Sequence, residues 1–215
     1  MKTGDTFIIA KPAWRFIGAL AFIFIVLEMI DAEFLAFITF VAMVVVAAFY
    51  RNPERITPFY QEGSIVSVCD GKVVAIESVD NAPKGKEPCY KITITSGYFD
   101  TSILRAPFES EVSVLEVRRG ARLSSRSAGF ALLNESARFG FKNENDNMVF
   151  VQHQLEQSFD DFNLQTQEGQ KLLQGSRYGV MLKGVTTLYI PASSRVAVNV
   201  GTHLKAGETL VGYFA

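Results

Sequence analysis

Few residues of this chain have side chains able to do covalent or proton-transfer chemistry, and most of the candidates point to one stretch. Gly175 to Pro191 reads Gly-Ser-Arg-Tyr-Gly-Val-Met-Leu-Lys-Gly-Val-Thr-Thr-Leu-Tyr-Ile-Pro. It opens on a Gly175-Ser176 pair, whose hydroxyl is a nucleophile toward the preceding carbonyl only where the bond is strained and a base assists. Its second half alternates Val185, Thr187 and Tyr189 against Thr186, Leu188 and Ile190, a strand pattern closed by Pro191. Gly179 and Gly184 interrupt it as bends or close backbone approaches do. Ser193 and Ser194 follow in a turn and are weaker candidates. His153 and His203 are the only histidines, and both read as solvated or packing residues rather than catalysts. Cys69 and Cys89 lack C-x-x-C spacing and a neighbouring His pair. They read as reduced, partly buried thiols, with no metal site expected.

These residues must be positioned by the rest of the chain. With 215 residues, 48% of them hydrophobic, 18 Phe and a net charge of −1, it suits one membrane-attached domain and gives no reason to expect a nucleic-acid partner. Residues 1–12 form an arm with Lys2 and Lys11 and no cleavage-site pattern, so no removable signal peptide is expected. Two apolar runs follow, Trp14 to Ile30 and Phe34 to Tyr50, separated by Asp31-Ala32-Glu33. They predict a transmembrane helical hairpin over residues 13–50, each run at the short end of what spans a ~30 Å hydrocarbon core. Lys2, Lys11 and Arg15 before it and Arg51 and Arg55 after it put both ends in the cytoplasm and Asp31 and Glu33 on the far side. Arg51-Asn52-Pro53 ends the second helix.

From residue 51 to 215 short alternating runs, bounded by Gly, Pro, Asn and Ser, predict a mostly β, sandwich-like domain. Three runs look alike, each a strand, a glycine turn and a resumed strand. They are Ile65 to Val74 through Asp70-Gly71, Glu111 to Gly120, and Val196 to Thr209 through Gly201. Such units resemble the hammerhead hairpins of biotinyl and lipoyl carrier domains, where a lysine at the tip carries the cofactor. Lys72 is the only candidate here, and without the carrier motif's flanking residues it reads as a surface lysine beside a tight turn.

Taken motif by motif, the chain resembles the short form of the phosphatidylserine decarboxylases. Arg177-Tyr178-Gly179-Val180-Met181 and Leu188-Tyr189-Ile190-Pro191 are similar to the two ends of the family's R-F-G-M-I-x-F-G-S-x-x-D-L-Y-L-P, with one residue fewer between them. Counting back from Pro191 puts Gly184 where the family has its self-cleaving serine. Val68 to Val73 is similar to P-A-D-G-K-V and keeps Asp70. Phe99 to Pro107 is similar to F-D-V-H-V-N-R-A-P, with Ser102 at the histidine position and Arg105 retained. Arg51-Asn52-Pro53, Leu133 to Ser136, Asn143-Glu144-Asn145 and Val200 to Leu210 follow further family motifs in order.

The resemblance implies a chemistry and its loss. In the family the serine attacks the preceding carbonyl, and the ester eliminates and hydrolyses to a self-generated pyruvoyl group that serves as electron sink in decarboxylation. Gly184 has no hydroxyl, Ser102 has no group titrating near neutrality, and Asp70 has no imidazole to orient. The resemblance therefore predicts an inactive relative in phospholipid metabolism, with no pyruvoyl group and no other cofactor. It implies the cytoplasmic face of a bacterial-type inner membrane, with phosphatidylserine or phosphatidylethanolamine as lipid partner. Arg105 is the residue to bind a head-group carboxylate or phosphate. Two other readings stand open: an active decarboxylase that uses Ser176 as pyruvoyl precursor, and a scaffolding module for lipid enzymes or a membrane protease. A homo-oligomer or a lipid-enzyme partner fits any of the three.

Overall fold

Two apolar helices open the structure, a computed structural model that describes residues 7–58, 60–80 and 88–215. Helix α1 (Ala13–Met29) starts after Pro12, whose fixed φ suits a helix start. Asp31 turns the chain at a φ of 56°, a left-handed conformation that aspartate tolerates. Helix α2 (Glu33–Phe49) returns, with Glu33 at its positive end, and stops short of Pro53.

The expected transmembrane hairpin is overturned: no helix among the described residues is long and apolar enough to cross a membrane. Each helix has 17 residues and rises about 25 Å at 1.5 Å per residue, short of a ~30 Å hydrocarbon core. Glu28 in the last turn of α1 shortens the apolar run further. The sidedness inferred from flanking cations falls with the span. Three of those cations have partners inside the protein: Arg15 pairs with Asp160, Arg51 donates to the Phe99 carbonyl, and Arg55 is buried on Asp70. Lys2 lies outside the described residues.

The remainder is mostly β, as expected. In chain order it comprises β1 (Ser64–Val66), β2 (Gly71–Val79), β3 (Cys89–Ser96), β4 (Ile103–Arg105), β5 (Ser110–Arg118), the one-turn helix α3 (Phe130–Leu133), β6 (Ser136–Lys142) and β7 (Met148–Leu155). It continues through β8 (Asn163–Leu164), β9 (Lys171–Leu172), β10 (Arg177–Val180), β11 (Gly184–Pro191), β12 (Arg195–Val196), β13 (His203–Leu204) and β14 (Leu210–Tyr213). An eight-stranded sheet has the order β13-β2-β3-β11-β7-β6-β5-β9, and two three-stranded sheets have the orders β4-β10-β8 and β1-β14-β12. Side chains from all three sheets, among them Ile65, Ile92, Leu104, Phe139, Tyr178 and Leu188, meet in one core.

The hammerhead units do not form. β1 pairs with β14 and the resumed strand β2 pairs with β3, so the two halves of the first unit belong to different sheets. β12 and β13 separate in the same way. Alternation makes a segment a strand but does not choose its partner. Lys72 accordingly lies inside β2 opposite His203 and Thr95, at no hairpin tip.

A smaller apolar cluster of Ala10, Ala13, Tyr50, Ile103, Val180 and Leu182 joins the hairpin base to β4 and β10. Buried Asp160 accepts from both Arg15 and Tyr50, locking the helices to the loop that follows β7.

Candidate functional site

Three of the residues singled out in the sequence converge where β2, β3, β4 and β11 begin or end. Gly71 has a φ of 149°, and a Cβ there would run into the Thr95 carbonyl, so only glycine lets the chain turn at Asp70 into β2. The Ser96 hydroxyl donates to the Asp70 carbonyl, and Ser96 is the cross-strand partner of Gly184. Ser102 precedes β4, and its carbonyl accepts from Met181 N at 2.8 Å, in the link between β10 and β11. Asp70, Ser102 and Gly184 are thus brought together around Ser96 and Met181.

The Asp70 carboxylate is fully engaged. Arg55 grips it bidentately, Nη1 to Oδ1 at 2.6 Å and Nη2 to Oδ2 at 2.8 Å. Ala206 N donates to Oδ1 at 2.8 Å and Thr101 N to Oδ2 at 3.3 Å. Arg55 also donates to the Ala206 carbonyl at 3.0 Å and to Thr101 Oγ1 at 3.2 Å, and Glu208 stands 3.8 Å from its Nε. Burial alone pushes the Asp70 carboxyl up, but the Arg55 hydrogen bonds and charge and the two backbone donors outweigh it and hold it below the usual range. Burial likewise works against the Arg55 charge, and Asp70 more than restores it. Arg55 was read from sequence only as a flanking charge. A separation of 15 residues from Asp70 and no shared motif left no signal of the pair.

Ser102 is 1% exposed, and its Oγ has no hydrogen-bond partner among the described residues. A Cβ built on Gly184 would collide with the Gln154 carbonyl of β7 and stand 2.9 Å from Met181 Sδ, so the strand pairing itself closes the position to a side chain. Gly184 is the close backbone approach that the sequence pattern anticipated.

Ser176 and Arg105 lie at the other end of β4 and β10. Arg105 is buried, and its guanidinium donates to the Gly175 carbonyl at 2.9 Å and the Pro53 carbonyl at 3.0 Å. Burial, then the Arg177 and Arg55 charges, lower its pKa to about 10. Its donors are turned onto backbone, bracing the segment after the hairpin against the Gly175 turn. Ser176 is half-buried, with its N–H on the Leu173 carbonyl and its own carbonyl accepting from Ala106. Both histidines are remote from it in the register: His203 is exposed beside Lys72, and His153 is paired with Thr186 and Ala137.

His153 anchors a polar chain that the sequence did not show. Its Nδ1 meets Thr186 Oγ1 at 2.8 Å and its Nε2 meets Tyr178 OH at 2.7 Å, all within the core. Burial lowers its pKa to about 3, which keeps the imidazole neutral. Cys69, also buried, has its thiol pushed up to about 12 by burial, so it is an inert thiol. Among the described residues no group of three or more His, Cys, Asp or Glu is placed to hold a metal ion.

Comparison with known proteins gives the family. The family model described as phosphatidylserine decarboxylase matches residues 43–212. The chain is similar to the phosphatidylserine decarboxylase proenzymes of Symbiobacterium thermophilum (28% identical over 206 residues, 95% of each chain) and Desulfotalea psychrophila (28% over 208 residues, 95% of each). It also resembles that of Paraburkholderia phymatum, at 24% identity over 205 residues, covering 95% of this chain and 96% of the relative. No solved structure matches.

Proposed function

The chain belongs to the phosphatidylserine decarboxylase family, and from that premise we propose that it is a member that does not process itself. It works in phospholipid metabolism as an intact, membrane-associated binding protein. The observation that carries this reading is the closed position at Gly184, where the Gln154 carbonyl and Met181 leave no space for a side chain and no hydroxyl stands to attack. The residues present do not fit the pyruvoyl group implied by the family, because position 184 carries no hydroxyl and admits no side chain. The engaged carboxylate of Asp70 supports the same reading, because Arg55, Thr101 and Ala206 already occupy it.

Membrane association is supported by the hairpin's exposed apolar side chains, which include Phe22, Ile25, Phe34, Phe37 and Phe40. Helices apolar on every side are stable only when enveloped. Partial insertion into a lipid layer supplies that without either helix crossing. Phosphatidylserine is the lipid that the family's name carries, and in this reading phosphatidylserine or its decarboxylated product is met by the hairpin rather than by inward-facing Arg105.

Intact mass of the purified protein tests the proposal. One species corresponding to residues 1–215, with no adduct trapped by borohydride and a lipid amine, is expected. A carboxy-terminal fragment 176–215 that disappears in Ser176→Ala would overturn it and make Ser176 the cofactor precursor.

A further inference from the structure

Beside the hairpin base the β domain presents one more large apolar group left mostly exposed by the described residues. The turn at residues 97–101 is pinned at several points: Gly97 N donates to Asp100 Oδ2 at 2.8 Å, Asp100 N donates to the Gly97 carbonyl at 3.1 Å, and Arg51 donates to the Phe99 carbonyl. At its crest Phe99 is 84% exposed. Its ring touches only the hairpin side, edge-on to Phe49 at 5.9 Å, while neighbouring Tyr98 stacks on Phe49 at 5.0 Å and on Phe159 at 5.8 Å. Thr101, two residues after Phe99, donates its N–H to the Asp70 carboxylate. One rigid turn therefore joins the hairpin base to the Asp70 cluster.

We infer that this turn is a second membrane anchor, inserting the Phe99 ring into an anionic lipid surface beside the hairpin and holding the Asp70–Ser102 end of the β domain against that surface. The inference rests on the lipid-bound reading of the hairpin. Charge and shape favour lipid over a protein. Exposed Lys11 and Arg51 lie with Trp14 at the same base, where Arg51, among the described residues, donates only to backbone carbonyls and keeps its charge uncompensated by them, and Lys183 lies 5.8 Å over the Tyr98 ring. A cationic and aromatic ring around an apolar centre matches the head-group layer of an anionic bilayer. A second copy meeting the first about a two-fold axis would set these cations against each other. A flat protein partner would leave the far sides of the all-round apolar helices bare.

The chain has a single tryptophan, Trp14, which reports on the hairpin base. In full-length Trp14→Phe/Phe99→Trp protein, the indole at position 99 is expected to shift to the blue and to be quenched by phosphatidylglycerol-containing vesicles brominated near the head group, as Trp14 is in the parent. Phe99→Asp should lower the vesicle partition coefficient by roughly tenfold or more, from the loss of one buried aromatic ring, with an unchanged thermal melt because the ring is exposed. Quenching at position 14 without quenching at position 99 would overturn this anchor and leave the lipid-bound hairpin standing. No quenching at either position, with no co-sedimentation, would overturn both. Shielding at position 99 that follows protein concentration without lipid, and that added vesicles neither relieve nor replace with lipid quenching, would overturn the anchor in favour of a second copy.

Discussion

At the residue scale the central fact is the engagement of Asp70. Its carboxylate is half of an ion pair with Arg55 whose side chains are each 10% exposed, tied to Ala206 and Thr101 as well. Removing one member of such a pair leaves an uncompensated buried charge. Asp70→Asn is therefore expected to cost about 3–5 kcal/mol in denaturant-induced unfolding, far more than an exposed pair such as Lys91 with Glu77. His153 gives a second expectation, with an opposite origin. Its folded pKa of about 3 lies below the 6.5 of the free side chain, so between those values the unfolded chain binds more protons than the folded one. Stability thus falls as pH drops through that window, by at most about 1.4 kcal/mol per pH unit for this one group. His153→Gln keeps a donor and an acceptor but does not titrate. The difference between parent and variant in chemical-denaturation midpoints from pH 7 to pH 4 should shrink or reverse as the pH falls; a constant difference would show that His153 is not the responsible group.

At the element scale the short link Met181–Lys183 matters most, because it carries the chain from the β4-β10-β8 sheet into the eight-stranded sheet. It is held at both ends: Met181 N donates to Ser102 O at 2.8 Å and Glu156 N to Lys183 O at 3.2 Å. β11 then pairs without interruption along both β3 and β7. Gly184 at its start is therefore fixed by two neighbours at once, and a side chain there can be accommodated only by moving backbone. Gly184→Ser is expected to lose about 1–3 kcal/mol of stability, as overpacked sites do, and to remain uncut on a denaturing gel. Adding Ser102→His should not change that outcome, because Asp70 is already held by Arg55. Cleavage of the single or double variant would show that the strand yields where its pairing says it should not.

At the scale of the whole molecule, an apolar helical hairpin stands on a well-packed β domain. The eight-stranded sheet and its two small companions bury one core, whereas fourteen large apolar side chains of α1 and α2 are exposed. That imbalance is far beyond the scattered apolar residues of a soluble surface. The purified chain should therefore self-associate in detergent-free buffer and fall toward the mass of one chain plus bound detergent when micelles are added, as read by light scattering. A monodisperse monomer in plain buffer would mean that the hairpin packs against the domain differently.

The sequence by itself determined the elements and the family. Alternation marked β11, whose Thr186, Leu188 and Ile190 are buried, and two apolar runs marked both helices. Ordered motifs also singled out Asp70, Ser102 and Gly184, which the fold brings to one place. These features are legible because they depend on neighbours two to four positions apart, or on which atoms a side chain carries. Only the tertiary structure decided that Arg55 takes the Asp70 carboxylate, that Gln154 of β7 closes Gly184, that Arg105 braces carbonyls, and that two of the three look-alike runs divide between different sheets. The partners in these contacts lie far apart along the chain, Asp70 and Ala206 by 136 positions. Local pattern fixes which face of a strand is apolar, while strand order and register across the sheets select which distant polar groups meet there.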